Sequence, residues 1–479
     1  MKKIVVVILF TILFGFGFTN AQDFSIGKYD TLYSEVFNES RSILVHVPAG
    51  GINNNVRYPV MYLLDGKHHF TKTLGILDHL STTAGNELCP EMIVVAIFHP
   101  NRERDLIPSD SGTEKDKFPE FLEKELIPYI NNHFPTEPYK VFVGHSLGGL
   151  RIINTLVYQP HLFNSYIAID PSLGMVKGWV GKATTDFTKN QYSAKSLYIA
   201  MGLTMPKEMD TATIFRDTSG NARHMRSIMT FARKAEELKS NGLDFNWKYY
   251  PDESHQSVVF KGTYDGLIAN FHWFKNEKLF DIFKSEVTAE ASVKIMTDYY
   301  EYISGKMGYA ILPPEQGTSG LIDYLNFKKW YDKGLAFAEL NYKNYPGSSK
   351  SKSQLESAKW NTKKAISTLY PKKTTKEIVK LIRSDFMKSL PEYNASESAI
   401  NTFGYELLNK NQLNDAETIF KLNTELYPNS YNAYDSYGEC LLRLKKDKEG
   451  IVAYKKSLDL NPENTNARSV LAKYQLIKE

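Results

Sequence analysis

A serine with glycines on both sides follows a short apolar run near residue 140. The segment reads Gly144-His145-Ser146-Leu147-Gly148, after the predicted strand Tyr139–Val143 and at the start of a predicted helix, Leu147–Tyr158. A sharp strand-to-helix turn of this kind exposes the serine hydroxyl beside the positive end of the helix. We therefore expect Ser146 to be a nucleophile. The alternative is a glycine-rich turn in a sheet protein without this chemistry.

A serine nucleophile needs a general base, which follows the last strand when the serine lies in such a turn. His255 meets this condition, because it lies in a polar loop directly after the predicted strand Phe245–Tyr250. The other downstream histidines, His224 and His272, fall at the start of one predicted helix and inside another. We therefore predict that His255 is the base.

An acid that orients the histidine is expected after the preceding strand, Leu197–Ala200. Residues 203–206 carry no carboxylate, and the next acidic residues along the chain are Glu208, Asp210 and Asp217. We choose Asp210 as the acid, with the other two as alternatives. A serine-histidine pair without an acid also remains open, since the acid only orients and stabilises the histidine.

Two backbone N–H groups are needed to bind the oxyanion of an acyl-transfer intermediate. Leu147 supplies one, next to the nucleophile. The second is expected from Lys67, in the loop Asp65–His69 after the predicted strand Val60–Leu64. His68 and His69 are adjacent, so their side chains point apart, and we predict no metal site there.

Two arginines, Arg102 and Arg104, follow the predicted strand Met92–Phe98. Their charge suits an anionic substrate, but we favour a structural ion pair with Asp105 or another nearby acid.

Up to about residue 275, apolar runs alternate with amphipathic stretches, which predicts an α/β fold with a mostly parallel sheet. The first two predicted strands, Ile43–Val47 and Val60–Leu64, have no helix between them, which indicates an antiparallel hairpin at one edge. The predicted strands are Ile43–Val47, Val60–Leu64, Met92–Phe98, Val141–Val143, Tyr166–Ile169, Leu197–Ala200 and Phe245–Tyr250.

From about residue 285 the strand signal stops and the chain becomes helical. The segments 397–430 and 431–464 align at a period of 34 residues, with Gly404 over Gly438 and similar aromatic and proline positions. They resemble tetratricopeptide (TPR) repeats, with residues 465–479 as a capping helix and a weaker copy ending at Pro346. We expect a protein partner or a purely structural cap.

The N-terminus has the pattern of a secretory signal peptide. Lys2 and Lys3 precede the apolar run Ile4–Phe18, and small residues end at Ala21. We expect cleavage near Ala21 and an exported, periplasmic or secreted protein without a stable membrane anchor.

Composition excludes several classes of protein. The formal net charge of +4 falls to +2 without the leader, which does not indicate a nucleic-acid-binding protein. With two cysteines, Cys89 and Cys440, in different predicted domains, neither a disulfide framework nor a cysteine metal site is expected.

Four segments together resemble the putative-esterase family of α/β-hydrolases, which includes esterase D and siderophore esterases. They are residues 62–66, 101–106, 144–149 and Asp170-Pro171-Ser172-Leu173. The resemblance covers about residues 24–275 and implies ester hydrolysis or acyl transfer without a cofactor. It supports Ser146, His255, Leu147 and Lys67 in their predicted roles.

The sequence thus predicts a signal peptide at 1–21, an α/β-hydrolase domain at 22–280 and a helical domain at 285–479. The predicted function is hydrolysis of a small or mid-sized carboxylic ester, such as a siderophore trilactone or an acylated sugar. An acyltransferase of the same fold and an interaction protein that uses its repeats are the alternatives.

Overall fold

The computed structural model describes residues 26–49, 56–82, 87–109, 116–204, 214–217, 220–237, 241–388 and 392–476. The predicted leader, Glu208 and Asp210 lie outside these ranges. The chain forms two compact units. The first comprises Met1–Asn276 with Glu301–Ile311, and the second comprises Glu277–Tyr300 with Leu312–Glu479.

The first unit is built on an eight-stranded sheet with the order β1-β2-β4-β3-β5-β6-β7-β8. All neighbours from β4 to β8 are parallel, and β2 runs antiparallel to both β1 and β4. The strands are β1 (Lys28–Ser34), β2 (Glu39–His46), β3 (Tyr58–Leu63), β4 (Ile93–Ile97), β5 (Thr136–His145), β6 (Ser165–Ile169), β7 (Lys195–Gly202) and β8 (Leu243–Tyr250).

Helices cover both faces of this sheet, which is the α/β-hydrolase fold predicted from the sequence. The helices are α1 (Gly66–Thr82), α2 (Arg102–Leu106), α3 (Lys117–Phe121), α4 (Ile127–His133), α5 (Leu147–Tyr158), α6 (Trp179–Phe187), α7 (Gly220–Glu237) and α8 (Val258–Asn270). A π-helical segment, Leu122–Leu126, joins α3 to α4.

The central strands are apolar on both faces because each face packs against helices. On β3, Val60 and Tyr62 join the core cluster that includes residues of α5 and α7. The alternate residues Met61 and Leu63 join a second cluster, with residues of α1 and α8. This two-sided burial explains why the predicted strands read as continuous apolar runs.

The predicted hairpin between the first two apolar runs is wrong. β2 pairs with β1, a strand that the sequence analysis missed, while β3 lies inside the sheet between β4 and β5. All six residues of β3 are buried, so it takes a central position. β1 reads KYDTLYS, and its exposed residues suit an edge strand, which has only one neighbour.

The second unit is almost entirely helical. It contains α9 (Ala289–Met307), whose last residues from Glu301 belong to the first unit, and a two-stranded ladder of β9 (Lys364–Ala365) and β10 (Tyr393–Asn394). Its other helices are α10 (Glu315–Phe327), α11 (Tyr331–Asn344), α12 (Ser349–Asn361), α13 (Thr375–Phe386), α14 (Glu397–Asn409), α15 (Leu413–Leu426), α16 (Tyr431–Arg443), α17 (Asp447–Leu460) and α18 (Thr465–Leu476), with 3-10 segments at Glu277–Phe283 and Ile366–Leu369.

Equivalent contacts recur at the 34-residue period in the last helix pairs. A Cβ on Gly404 would lie 2.6 Å from the ring of Phe420, and a Cβ on Gly438 would lie 2.8 Å from the ring of Tyr454. In both pairs an aromatic ring of the second helix packs directly on the backbone of the first. The glycines are therefore needed for the close approach of the helices.

Side-chain hydrogen bonds repeat in the same pairs. Asn423 donates to the carbonyl of Glu397 at 3.0 Å, and Ser457, one period later, donates to the carbonyl of Tyr431 at 2.7 Å.

No helix in the described part of the chain is long and apolar enough to cross a membrane.

Candidate active site

Ser146 lies in the sharp turn between β5 and α5. Its φ of +60° and ψ of −117° are rare for a residue with a side chain, and the surrounding contacts hold them. Its N–H donates to the carbonyl of Ile169 at 2.9 Å, and its carbonyl accepts from Leu150 at 3.0 Å. The strained turn presents the hydroxyl at the C-terminal edge of the sheet.

Two glycines allow this turn to pack. A Cβ on Gly144 would lie 2.7 Å from the carbonyl carbon of Gly148, where the helix turns back over the strand. A Cβ on Gly149 would lie 2.8 Å from Cα of Pro171. A Cβ on Gly148 would make only ordinary contacts, the nearest at 3.4 Å. The crowding after the serine thus falls at position 149 and not at position 148.

His255 lies in the loop between β8 and α8, as predicted. Its Nε2 is 3.0 Å from Oγ of Ser146. The loop packs on the end of β7, where a Cβ on Gly202 would lie 2.9 Å from the carbonyl oxygen of Ser254. The N–H of Leu203 also donates to the carbonyl of Glu253 at 2.7 Å. These contacts position the imidazole over the hydroxyl of Ser146.

A carboxylate from another strand contacts the same imidazole. Asp170 directly follows β6, and its Oδ2 accepts a hydrogen bond from Nδ1 of His255. Its Oδ1 accepts from the N–H of Gly202 at 2.9 Å, and its Oδ2 also accepts from Nε2 of His224 at 3.1 Å. Burial by itself would raise the pKa of Asp170, but the hydrogen bonds from His224 and His255 outweigh it and lower the pKa to about 2. The carboxylate is therefore ionised at neutral pH.

His145, next to Ser146, supports the loop that carries His255. Its Nε2 donates to the backbone carbonyl of His255 at 2.7 Å. Burial, followed by the nearby His255, lowers the pKa of His145 to about 4. The ring is therefore neutral at physiological pH and adds no positive charge beside His255.

The predicted oxyanion donors lie at the starts of two helices. Leu147 is the first residue of α5, and Lys67 is the second residue of α1, which replaces the loop expected at 65–69. N–H groups in the first turn of a helix have no partner within it, so they can bind an anion. Gly66 is needed here because its Cβ would lie 2.5 Å from Cβ of Ala96 on β4.

A cleft of about 590 Å³ opens in front of Ser146. The Lys67 and His68 side chains on its wall are exposed, and His69 and His99 are more deeply set. Burial lowers the pKa of His69 to about 4, so this imidazole is neutral. The cleft thus offers a polar wall on the side of Lys67.

Residues 34–243 match the family model described as "Putative esterase". This match supports the esterase family for the sheet-containing unit and leaves the helical unit outside it.

Two individual proteins of Bacillus subtilis are similar to this chain in sequence. The ferri-bacillibactin esterase BesA of Bacillus subtilis is 28% identical over 176 residues, which are 30% of this chain and 59% of that protein. The uncharacterized protein YjcH of Bacillus subtilis is 24% identical over 214 residues, 43% of this chain and 80% of that protein. The chain therefore spans less than two thirds of the length of the first of these relatives.

A solved structure covers more of the chain. It is an IroE-like serine hydrolase from Shewanella oneidensis, which is 27% identical and superimposes with a TM-score of 0.54. The match covers 66% of this chain and 99% of that protein. Together, these matches support the esterase family and the α/β-hydrolase fold for the sheet-containing unit.

Arg102, which lines the cleft, and the nearby Arg104 both form ion pairs. Arg102 donates to both carboxylate oxygens of Asp65, from Nε at 2.6 Å and from Nη2 at 2.8 Å. Arg104 contacts Glu39 and Asp105. The interpretation as structural ion pairs is confirmed, with Asp65 as the acid for Arg102. This ion pair holds the turn that precedes Lys67.

The structure brings together Ser146 and His255. It adds Asp170, Ser172 and His224, to which the sequence analysis gave no role in the site. Asp170 and Ser172 lie within a motif already noted, directly after β6, whereas the acid was expected after the following strand. Asp210 lies outside the described residues, and the carbonyl of Asp217 accepts a hydrogen bond from Arg226. His224 was assigned only to a helix.

Asp170, His224 and His255 form the one group in the described ranges whose potential metal-ligand atoms lie within 4.8 Å of one another. Both imidazoles, however, already direct a nitrogen at the same oxygen, Oδ2 of Asp170. We interpret the group as two hydrogen bonds to one carboxylate.

Proposed function

We propose that this chain is a serine ester hydrolase in which Ser146 is the nucleophile, His255 the general base and Asp170 the acid. One observation carries the proposal. Nε2 of His255 lies 3.0 Å from Oγ of Ser146, while Nδ1 of the same ring donates a hydrogen bond to the ionised Asp170. Because Asp170 requires the proton on Nδ1, Nε2 has a free lone pair to accept the proton of the serine.

Acylation follows from this arrangement. Oγ of Ser146 attacks the ester carbonyl as its proton passes to Nε2 of His255. The N–H groups of Leu147 and Lys67 bind the oxyanion, and the positive end of α5 adds to the stabilisation. The C–O bond of the ester then breaks, and the alcohol leaves with the proton from His255.

Deacylation repeats the same steps with water as the nucleophile. His255 accepts a proton from the water as its oxygen attacks the acyl carbon. The bond from that carbon to Oγ of Ser146 then breaks, and His255 returns the proton to the serine.

The substrate class that we propose is a small or mid-sized carboxylic ester. The relative named a ferri-bacillibactin esterase favours a siderophore ester, and an acylated sugar is the second substrate to test. The cleft of about 590 Å³ lies in the range of small-molecule sites.

We further propose that the chain is exported and that an esterase domain at 22–280 is followed by a helical domain at 285–479, with TPR-like repeats clearest at 397–430 and 431–464. Export is inferred from the basic and apolar leader. The repeats are inferred from the 34-residue period and from the equivalent packing of Gly404 and Gly438.

Hydrolysis of p-nitrophenyl esters of increasing chain length tests the proposal, with residues 22–479 compared with the Ser146→Ala variant. We expect hydrolysis that the substitution lowers by several orders of magnitude. Activity that persists in the folded Ser146→Ala protein would refute the proposed nucleophile. Product analysis with an added alcohol separates hydrolysis from acyl transfer, because a transferase forms a new ester.

A further inference from the structure

Ser172 lies directly against the nucleophile. Its Oγ is 3.0 Å from Oγ of Ser146, and its N–H donates to the carbonyl of Ser146 at 2.9 Å. Ser172 is 7% exposed, so its hydroxyl is largely shielded from water. Among the residues that the structure describes, Oγ of Ser146 is the only hydrogen-bond partner found for this hydroxyl.

The positions of the protons determine which hydroxyl donates. Asp170 accepts from Nδ1 of His255, so the neutral imidazole carries its proton there and Nε2 is an acceptor. Oγ of Ser146 must then use its single proton to donate to Nε2. Its contact with Ser172 can be a hydrogen bond only if Ser172 is the donor.

We propose that Ser172 is a further catalytic residue, whose hydroxyl donates to Oγ of Ser146 and stabilises the negative charge that develops there. The inference rests on the proposed function, in which Ser146 is the nucleophile. It is distinct from the oxyanion site, because the N–H groups of Leu147 and Lys67 bind the carbonyl oxygen of the substrate.

The contribution falls in the steps where the bond between Oγ and carbon forms or breaks. In acylation, the serine proton moves to Nε2 of His255 while Ser172 donates to the oxygen that becomes nucleophilic. In deacylation, the bond from the acyl carbon to Oγ breaks, and Ser172 donates to the departing oxygen until His255 returns the proton. Ser172 keeps its own proton throughout, so no additional acid or base is required.

Backbone contacts hold this hydroxyl in place. Asp170, two residues earlier, has a φ of +40°, and its N–H donates to the carbonyl of Ala200 at 2.7 Å. The carbonyl of Ser172 accepts from the N–H of Met175 at 3.1 Å. The same short loop thus carries both the acid and the donor, and a preorganised donor needs little rearrangement during the reaction.

The test measures the reaction of Ser146 with a fluorophosphonate, in which Oγ attacks phosphorus and fluoride leaves. The wild-type protein is compared with Ser172→Ala, with Ser172→Cys and with the control Ser81→Ala. Ser81 is also a buried serine, 8% exposed, whose hydroxyl bonds to the carbonyl of Leu77 on α1. Labelling is followed by intact mass, and thermal unfolding checks the fold of each variant.

We expect Ser172→Ala to slow labelling and ester turnover by about tenfold to a hundredfold, as for loss of a hydrogen bond to a charged group. Ser172→Cys should be intermediate, because a thiol is a weaker donor than a hydroxyl. Ser81→Ala should react like the wild type. The graded order of Ser, Cys and Ala would not arise from a purely structural role.

Labelling of Ser172→Ala within about twofold of the wild type would overturn the inference and leave the proposed function intact. If Ser172→Ala does not fold, the labelling rate of Ser172→Cys is the test. A labelling rate equal to that of the wild type then overturns the inference. If the wild-type protein itself is not labelled at Ser146, the proposed function fails together with the inference.

Discussion

Oδ2 of Asp170 accepts hydrogen bonds from two imidazoles, Nδ1 of His255 and Nε2 of His224, the second at 3.1 Å. The two rings are nearly perpendicular, with an interplanar angle of 87°. His224 comes from α7, an element that carries none of the three proposed triad residues. A residue outside the triad therefore helps to hold its carboxylate.

We expect His224→Ala to lower kcat by about threefold to tenfold, since Asp170 loses one of its donors. His224→Gln should recover most of the loss, because its amide also donates. Steady-state ester hydrolysis provides the measurement. His272→Ala, which removes an exposed histidine, is the control, and an equal effect of both alanine variants would contradict this role for His224.

Asp170→Asn should lower kcat by about 10³- to 10⁴-fold, because an amide no longer fixes the tautomer of His255. The same assay applied to Asp210→Asn separates the two candidate acids. We expect Asp210→Asn to retain activity. A large loss in Asp210→Asn, together with an active Asp170→Asn protein, would return the acid to residue 210.

Arg102→Lys should lower kcat by about tenfold with little change in thermal stability. Lysine cannot reproduce the paired hydrogen bonds to Asp65, so the turn before the Lys67 N–H loses its support. The assay is ester hydrolysis with thermal unfolding in parallel. Unchanged kcat in Arg102→Lys would show that this ion pair does not position the oxyanion donor.

Stability at low pH should depend on Asp105. This carboxylate is fully buried and contacts Arg41 at 2.5 Å and His99 at 3.1 Å. Burial opposes ionisation, but the hydrogen bonds from His99 and Arg41 prevail and lower the pKa to about 2. Because this pKa lies below the ordinary value of 3.8, the stabilisation is complete above about pH 4.

The loss as pH falls from about 4 to 2 should amount to about 2 kcal/mol in the free energy of unfolding. Urea unfolding across this range measures it. Asp105→Asn should be less stable than the wild type at pH 7, and the difference should shrink toward pH 2. Asp298→Asn, at an exposed pair with Lys294, is the control, and an Asp105→Asn difference that is constant with pH would contradict the assignment.

Gly404→Ala should destabilise the helical unit by about 1–3 kcal/mol, because its Cβ would overlap the ring of Phe420. Gly320→Ala is the matched control, since Gly320 lies on α10 with no atom within 4 Å of the added Cβ. We expect it to be neutral or slightly stabilising. Thermal unfolding of the two variants compares them, and equal midpoints would argue against the close packing at Gly404.

Local sequence signals identified the features that depend on neighbouring residues. The strand-to-helix turn at Ser146 follows from the glycines around it, and the loop position of His255 follows from its place after the last strand. The 34-residue period predicted which residues recur in equivalent contacts. Each of these signals is local because a turn, a strand end or a helix pair is specified by residues close together in the chain.

Tertiary structure alone decided which acidic side chain meets His255. The carboxyl ends of parallel strands share one edge of the sheet, so the loops after β6, β7 and β8 all lie near Ser146. Chain order therefore does not tell which of these loops carries the acid. Asp170 follows β6, the direct neighbour of β5, and it meets His255 because the loop after β8 packs on the end of β7. The edge position of β1 was equally hidden, since pairing depends on burial across the whole sheet and not on the order of apolar runs.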